Sequence, residues 1–134
     1  MLRFKMILFL TLVLFPGVFL GQDAFKITHG PYLQAMGDDE VNIVWVTNKK
    51  AVSWVEIAPD DNSHFYAVER KKFFAAENGL KTERTVQNVH VTGLKPGTKY
   101  RYRIYSQEVL NHESYIIEYG KVAATAAYMA KLPT

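Results

Sequence analysis

The sequence predicts an all-β chain built from short strands. From Phe25 onward apolar and polar residues alternate with a period of two, and no window sustains the 3.6-residue apolar repeat of a helix. Turn signals rich in Pro, Gly, Asn and Asp separate the alternating runs. A length of 134 residues with 49% apolar content and no cysteine fits one domain held by its hydrophobic core, and it excludes disulfides and thiolate metal sites.

The first segment is not a strand. In MLRFKMILFLTLVLFPGVFLGQ, Arg3 and Lys5 precede an apolar run from Met6 to Phe15, after which Pro16 and Gly17 break any helix and small Gly21 precedes Gln22. This is the pattern of a signal peptide over residues 1–21. A membrane anchor needs about 20 uninterrupted apolar residues, and Pro16 breaks the run short of that. The product is therefore expected to be secreted, periplasmic or on the cell surface. The leader carries two basic and no acidic residues, so its removal leaves 113 residues and lowers the net charge from +3 to +1. A domain so near neutrality has no strong attraction for nucleic acid or anionic lipid, and neither nucleic acid nor, after cleavage, a membrane is an expected partner.

The strands follow in order. In FKITHGPYLQAM, His29-Gly30-Pro31 breaks an edge strand and Tyr32 fixes the bend. In DDEVNIVWVTN, Val41, Ile43 and Trp45 share one face and Asn42, Val44 and Val46 the other, with Asn48-Lys49-Lys50 ending the run. A separate strand in AVSWVEIAPDDN puts Val55 and Ile57 opposite Trp54 and Glu56 and stops at a Pro-Asp-Asp-Asn turn. SHFYAVERKKFF is less regular, and Asn78-Gly79 marks a tight turn. RTVQNVHVTGL places Val89 and Val91 inward, Asn88 and His90 outward, and Leu94 in the core. In GTKYRYRIY, Thr98, Tyr100, Tyr102 and Ile104 oppose Lys99, Arg101, Arg103 and Tyr105. A last strand runs from about Ile116 to Thr125. About seven strands over residues 22–126 make an immunoglobulin-like sandwich, with residues 127–134 expected as a short tail or interrupted linker.

The Pro96-Gly97 turn sets the chain direction, and Tyr100 arrives where a tyrosine corner sits, its hydroxyl reaching back to upstream backbone. Trp45, Leu94, Pro96, Gly97 and Tyr100 are thus candidate structural residues, and together they resemble fibronectin type III domains. A closer resemblance comes from THGPYLQ, VNIVWVT, AVSWVEIAP and YRYRIYSQEV, which look like the N-terminal fibronectin-type domain of bacterial purple acid phosphatase-like metallophosphoesterases. The resemblance covers residues 25–124. It implies an accessory role beside a separate phosphoesterase domain with a dinuclear metal centre. The ligand motifs of that domain, Gly-Asp-x-x-Tyr, Gly-Asn-His and Gly-His-x-His, do not occur in this sequence.

The residues offer little other chemistry. His29, His64, His90 and His112 are widely separated and not spaced to converge on one strand face, so no metal cofactor is expected in this chain. Asp60 and Asn62 open a calcium-loop pattern that lacks its glycine and has Lys71 where a glutamate belongs. Ser53, Ser63, Ser106 and Ser114 lack a nucleophile motif. Lys95, Lys99, Arg101 and Arg103 form a basic ladder, either a solvated face or an anion site. Trp54, Phe65, Tyr66, Phe73 and Phe74 divide between core packing and a docking surface, to which His29 and Tyr32 contribute. The sequence therefore points to a non-catalytic module that packs against a metallophosphoesterase domain. The alternative is a free-standing secreted adhesion module binding a glycan or protein.

Overall fold

The computed structural model describes residues 23–134, and the predicted signal peptide over residues 1–21 lies outside them. Among the described residues there are nine strands and no helix: β1 (Ile27–Gln34), β2 (Val41–Pro59), β3 (Lys72–Phe74), β4 (Ala76–Glu77), β5 (Leu80–Lys81), β6 (Arg84–Val91), β7 (Lys99–Glu113), β8 (Ile116–Ala124) and β9 (Tyr128–Lys131). Every pairing is antiparallel. The chain forms the expected all-β sandwich of immunoglobulin type.

The two strands expected on either side of Asn48-Lys49-Lys50 are one continuous 19-residue strand. Its first half pairs with β1 and β6, and its second half, from Ala51 to Pro59, pairs with β7 and β3. The pairing with β6 breaks register between Val46 and Ala51, the kind of irregularity that lets one strand turn from one sheet layer into the next. Local composition marked this corner as an end because it resembles a turn. The backbone passes through because Asn48 takes other partners, accepting from Lys26 N and donating to the carbonyls of Lys26 and Ala24. On β1, Gly30 has φ +89°, and a Cβ there would lie 2.9 Å from the Val44 carbonyl oxygen, so the His29-Gly30-Pro31 break needs glycine.

Between the layers lies a core that joins Val41, Ile43, Trp45, Val89 and Val91 of the three-stranded layer to Val55, Tyr102 and Ile104 of the other. Alternation placed these side chains correctly, because each strand offers one face to the opposite layer. The Trp45 indole donates 2.8 Å across the gap to Ser106 Oγ, which lies 2.7 Å from Ser53 Oγ. Both serines are fully buried, so they serve as polar links between cysteine-free layers.

At one end of the sandwich the chain turns from β6 to β7. Leu94 is buried, Gly97 takes φ +63°, and Lys95 N donates 2.9 Å to the Tyr100 hydroxyl, which closes the tyrosine corner. A Tyr100→Phe chain keeps the ring and loses this bond, and its urea midpoint should fall by the equivalent of about 1 kcal/mol. An unchanged midpoint would show that the corner is held by packing alone.

Residues 127–134 are not a tail. β9 pairs with the start of β7, Lys99 to Tyr102, and the chain beyond it bonds to the corner through Leu132 N to Thr98 O and Gly97 N to Pro133 O, both 2.9 Å. Ala130 and Leu132 are buried in the core. Tyr128 stacks at 5.8 Å on Tyr102, whose hydroxyl pKa is pushed up to about 12 chiefly by burial and further by Tyr128. The segment reads as a tail because it is short and because AATAAYMAK, which leads into it, shows no strong alternation of apolar and polar residues.

The other end carries two hairpins. Asn78 and Gly79 both have positive φ and link β4 to β5 in the tight turn their dipeptide signalled. The β7–β8 hairpin ends in exposed Tyr115 and Ile116, and near its tip His112 Nδ1 meets a Glu83 carboxylate oxygen at 2.9 Å. That bond raises the His112 pKa above its usual 6.5, with the Glu83 charge adding to it. The contact favours the imidazolium, so its stabilisation is present below pH ~6.5 and fades as pH rises through the elevated folded value. An NMR titration should place the His112 midpoint above 6.5, and Glu83→Gln should lower it.

Candidate functional site

The outward faces of β2 and β7 in the second layer build the richest side-chain cluster. Register puts Trp54 opposite Tyr105, Glu56 opposite Arg103 and Ala58 opposite Arg101. Trp54 and Tyr105 stack with ring centroids 5.3 Å apart and planes 3° from parallel. Phe74, paired with Trp54 from β3, packs on the indole at 5.8 Å, whereas Phe73 faces the other way and packs against the core.

Over this face folds the loop from Asp60 to Arg70. Arg101 holds it down, donating from Nε to Pro59 O at 2.9 Å and from Nη1 to Ser63 O at 2.7 Å, with Nη2 3.4 Å from Asp61 Oδ1. Hydrogen bonds from the Ser63 hydroxyl and amide hold the Asp61 carboxyl below its usual pKa, which closes an Asx-type turn where a calcium-loop pattern began. Phe65 is buried at the centre of the loop, within 6 Å of the guanidiniums of Arg70, Arg101 and Arg103.

The same loop brings Tyr66 to Glu56. The Tyr66 hydroxyl donates 3.1 Å to Glu56 Oε2, receives Arg103 Nη1 at 3.2 Å and lies in hydrogen-bond contact with Tyr105. Glu56 is only 7% exposed, so its carboxylate sits under the loop with a phenol for partner. Burial raises the Tyr66 pKa, the Glu56 charge adds to the rise, and Arg103 opposes it. Arg103 also donates from Nε to Thr125 O at 2.9 Å. Around the rim, Lys72 sits 5.2 Å over Trp54 and Lys81 3.9 Å over Phe74.

Of the basic ladder, Arg101 and Arg103 are thus partly buried and not free for an anion, since loop carbonyls and rings engage both guanidiniums. The residues considered for a docking surface fall in different places. Trp54, Phe65 and Tyr66 belong to the cluster, with Phe65 buried beneath it, while His29 and exposed Tyr32 lie on β1 in the other layer. Glu56 and Tyr105 complete the cluster, and sequence alone assigned them no special place. Alternation set Glu56 beside Trp54 and Tyr105 beside Arg103 on their strands, but only the register of β2 against β7 shows which of these residues meet. Among the described residues no three His, Asp or Glu side chains are grouped to hold a metal ion. The cluster offers cations seated on aromatic rings around one buried carboxylate, a surface suited to contact with another polar surface.

Residues 29–122 match the family described as Purple acid Phosphatase, N-terminal domain. The chain belongs to this family. The match runs from His29 in β1 to Val122 in β8 and takes in the whole Trp54–Tyr66–Tyr105 cluster, so that cluster is part of the purple acid phosphatase N-terminal domain itself. Among solved structures, the chain is similar to the FN5 domain of Drosophila Lar, with 16% identity, a TM-score of 0.49 and coverage of 81% of this chain and 96% of that one. It is also similar to the sensor domain of the anti-sigma factor RsgI4 of Pseudobacteroides cellulosolvens, with 9% identity, a TM-score of 0.40 and coverage of 82% and 93%. No curated protein matches the chain.

Proposed function

We propose that this purple acid phosphatase N-terminal domain is the non-catalytic module of a secreted, periplasmic or cell-surface metallophosphoesterase of bacterial type, packing against and positioning a metal-dependent phosphatase domain. The family match over residues 29–122 carries this reading. The sequence adds support, because the motifs of a dinuclear phosphoesterase centre do not occur in it and its start has the pattern of a signal peptide. In this reading the metals and the hydrolysis belong to the partner domain. The sandwich supplies a rigid flank, and the Trp54–Tyr66–Tyr105 face, with its ring-seated lysines, is the contact surface.

Two measurements test the proposal. The purified chain, supplied with iron, zinc or manganese, should not turn over a chromogenic phosphate ester; saturable metal-dependent turnover would overturn the non-catalytic role. An antibody raised against residues 23–134 should detect, in the source cells, a product larger than this chain by at least a domain of ~100 residues. A product no larger than the chain that forms no complex with a phosphoesterase would remove the positional role.

A further inference from the structure

We propose that a groove across the outer face of the three-stranded layer binds a neutral oligosaccharide. The groove encloses about 690 Å³ and is walled on one side by the β4–β5 hairpin, a volume within the usual range of ligand sites. Its floor is made by Asn42, Asn88 and Val86, of which Val86 is 55% exposed. Glu40 and His90 lie at its rim with Oε2 and Nε2 3.1 Å apart, and Arg84 and Glu77 pair beside the hairpin.

The charges exclude most other ligands. Each cationic group in the groove already faces a carboxylate, Arg84 with Glu77 and His90 with Glu40, so an anion gains no unopposed positive charge. Among the described residues no three His, Asp or Glu side chains are grouped to hold a cation, and the polar lining gives a purely apolar ligand little to displace. A polyol meets these terms. Each sugar hydroxyl both donates and accepts, which matches the two amides and the carboxylates, and the C–H face of a pyranose fits the exposed apolar surface of Val86. Phe74 lines this site and also packs on Trp54, but none of Trp54, Tyr66 and Tyr105 lines it, and the site stands or falls independently of the phosphoesterase reading.

Isothermal titration calorimetry on the full chain tests it, using short neutral oligosaccharides of hexoses, N-acetylhexosamines and pentoses at about 10 mM, and inorganic phosphate as the anionic probe. Saturable heat with at least one of the sugars is expected, at least tenfold weaker in Asn42→Ala/Asn88→Ala and unchanged in Lys121→Ala, an exposed position on β8 in the other layer. Circular dichroism melts check that the variants fold, and Val86→Asp, at an exposed floor position, carries the same test if the double variant melts early. No heat from any sugar, heat from phosphate alone, or sugar binding that survives both floor variants overturns the proposal.

Discussion

Trp45→Ala should cost about 4 kcal/mol of folding stability, near the top of the range for truncating a core side chain. Trp45 is fully buried at the centre of the core, and its indole N–H makes the 2.8 Å bond that crosses between the layers. Truncation therefore opens a cavity and also removes the indole donor to buried Ser106 Oγ, which keeps only its bond to Ser53 Oγ. With a whole domain of this size stable by only ~5–15 kcal/mol, a large share of the folded population is at risk. Urea denaturation followed by circular dichroism reads the change directly. Trp45→Phe separates the two contributions, because it keeps most of the volume and loses the bond; a cost of about 1.5 kcal/mol is expected. Equal losses in the two variants would mean that the hydrogen bond, and not the packing, holds the layers together.

The second large effect is expected at the C-terminal strand. Leu132→Ala should lower stability by about 3 kcal/mol, and removal of residues 128–134 by more. Leu132 is 1% exposed, and loss of β9 would uncover Tyr102 and leave one edge of β7 from Lys99 to Tyr102 unpaired, with only β2 on its other side. A residue in a solvated tail costs less than ~0.5 kcal/mol when truncated, so the measurement discriminates sharply. A shift that small in Leu132→Ala would show that β9 adds nothing to the sandwich. The Tyr128 ring over Tyr102 gives a second readout, since without it the Tyr102 phenol should titrate lower than its value of about 12.

The candidate site was legible in part. Alternation put Trp54 and Glu56 on one face of their strand and Arg101, Arg103 and Tyr105 on one face of theirs, which is how they stand, because a strand's two faces are fixed by the pleat and need no partner to define them. The contacts among these residues were not legible. Trp54 meets Tyr105, and Arg103 reaches Tyr66, only once β2 and β7 have settled into register with the loop from Asp60 folded over them. The groove was also invisible, since it needs residues from the β1–β2 loop, from β6 and from the β4–β5 hairpin, which are far apart along the chain.

Local patterning was enough to establish the all-β class, the inward positions from Val41 to Trp45, at Val89 and Val91, and at Tyr102 and Ile104, the Asn78-Gly79 turn and the Tyr100 corner. All of these are set by a period of two or by the backbone freedom of a few turn residues. Contacts between distant segments were needed to establish that β2 runs unbroken through Asn48-Lys49-Lys50, that Phe65 and Glu56 are buried under a loop, and that the last residues form β9. Each of these depends on an edge or a face supplied from elsewhere in the chain. Tyr128 to Lys131 becomes a strand because the start of β7 has an unpaired edge and the core has room for Ala130 and Leu132, and nothing within the segment states either fact.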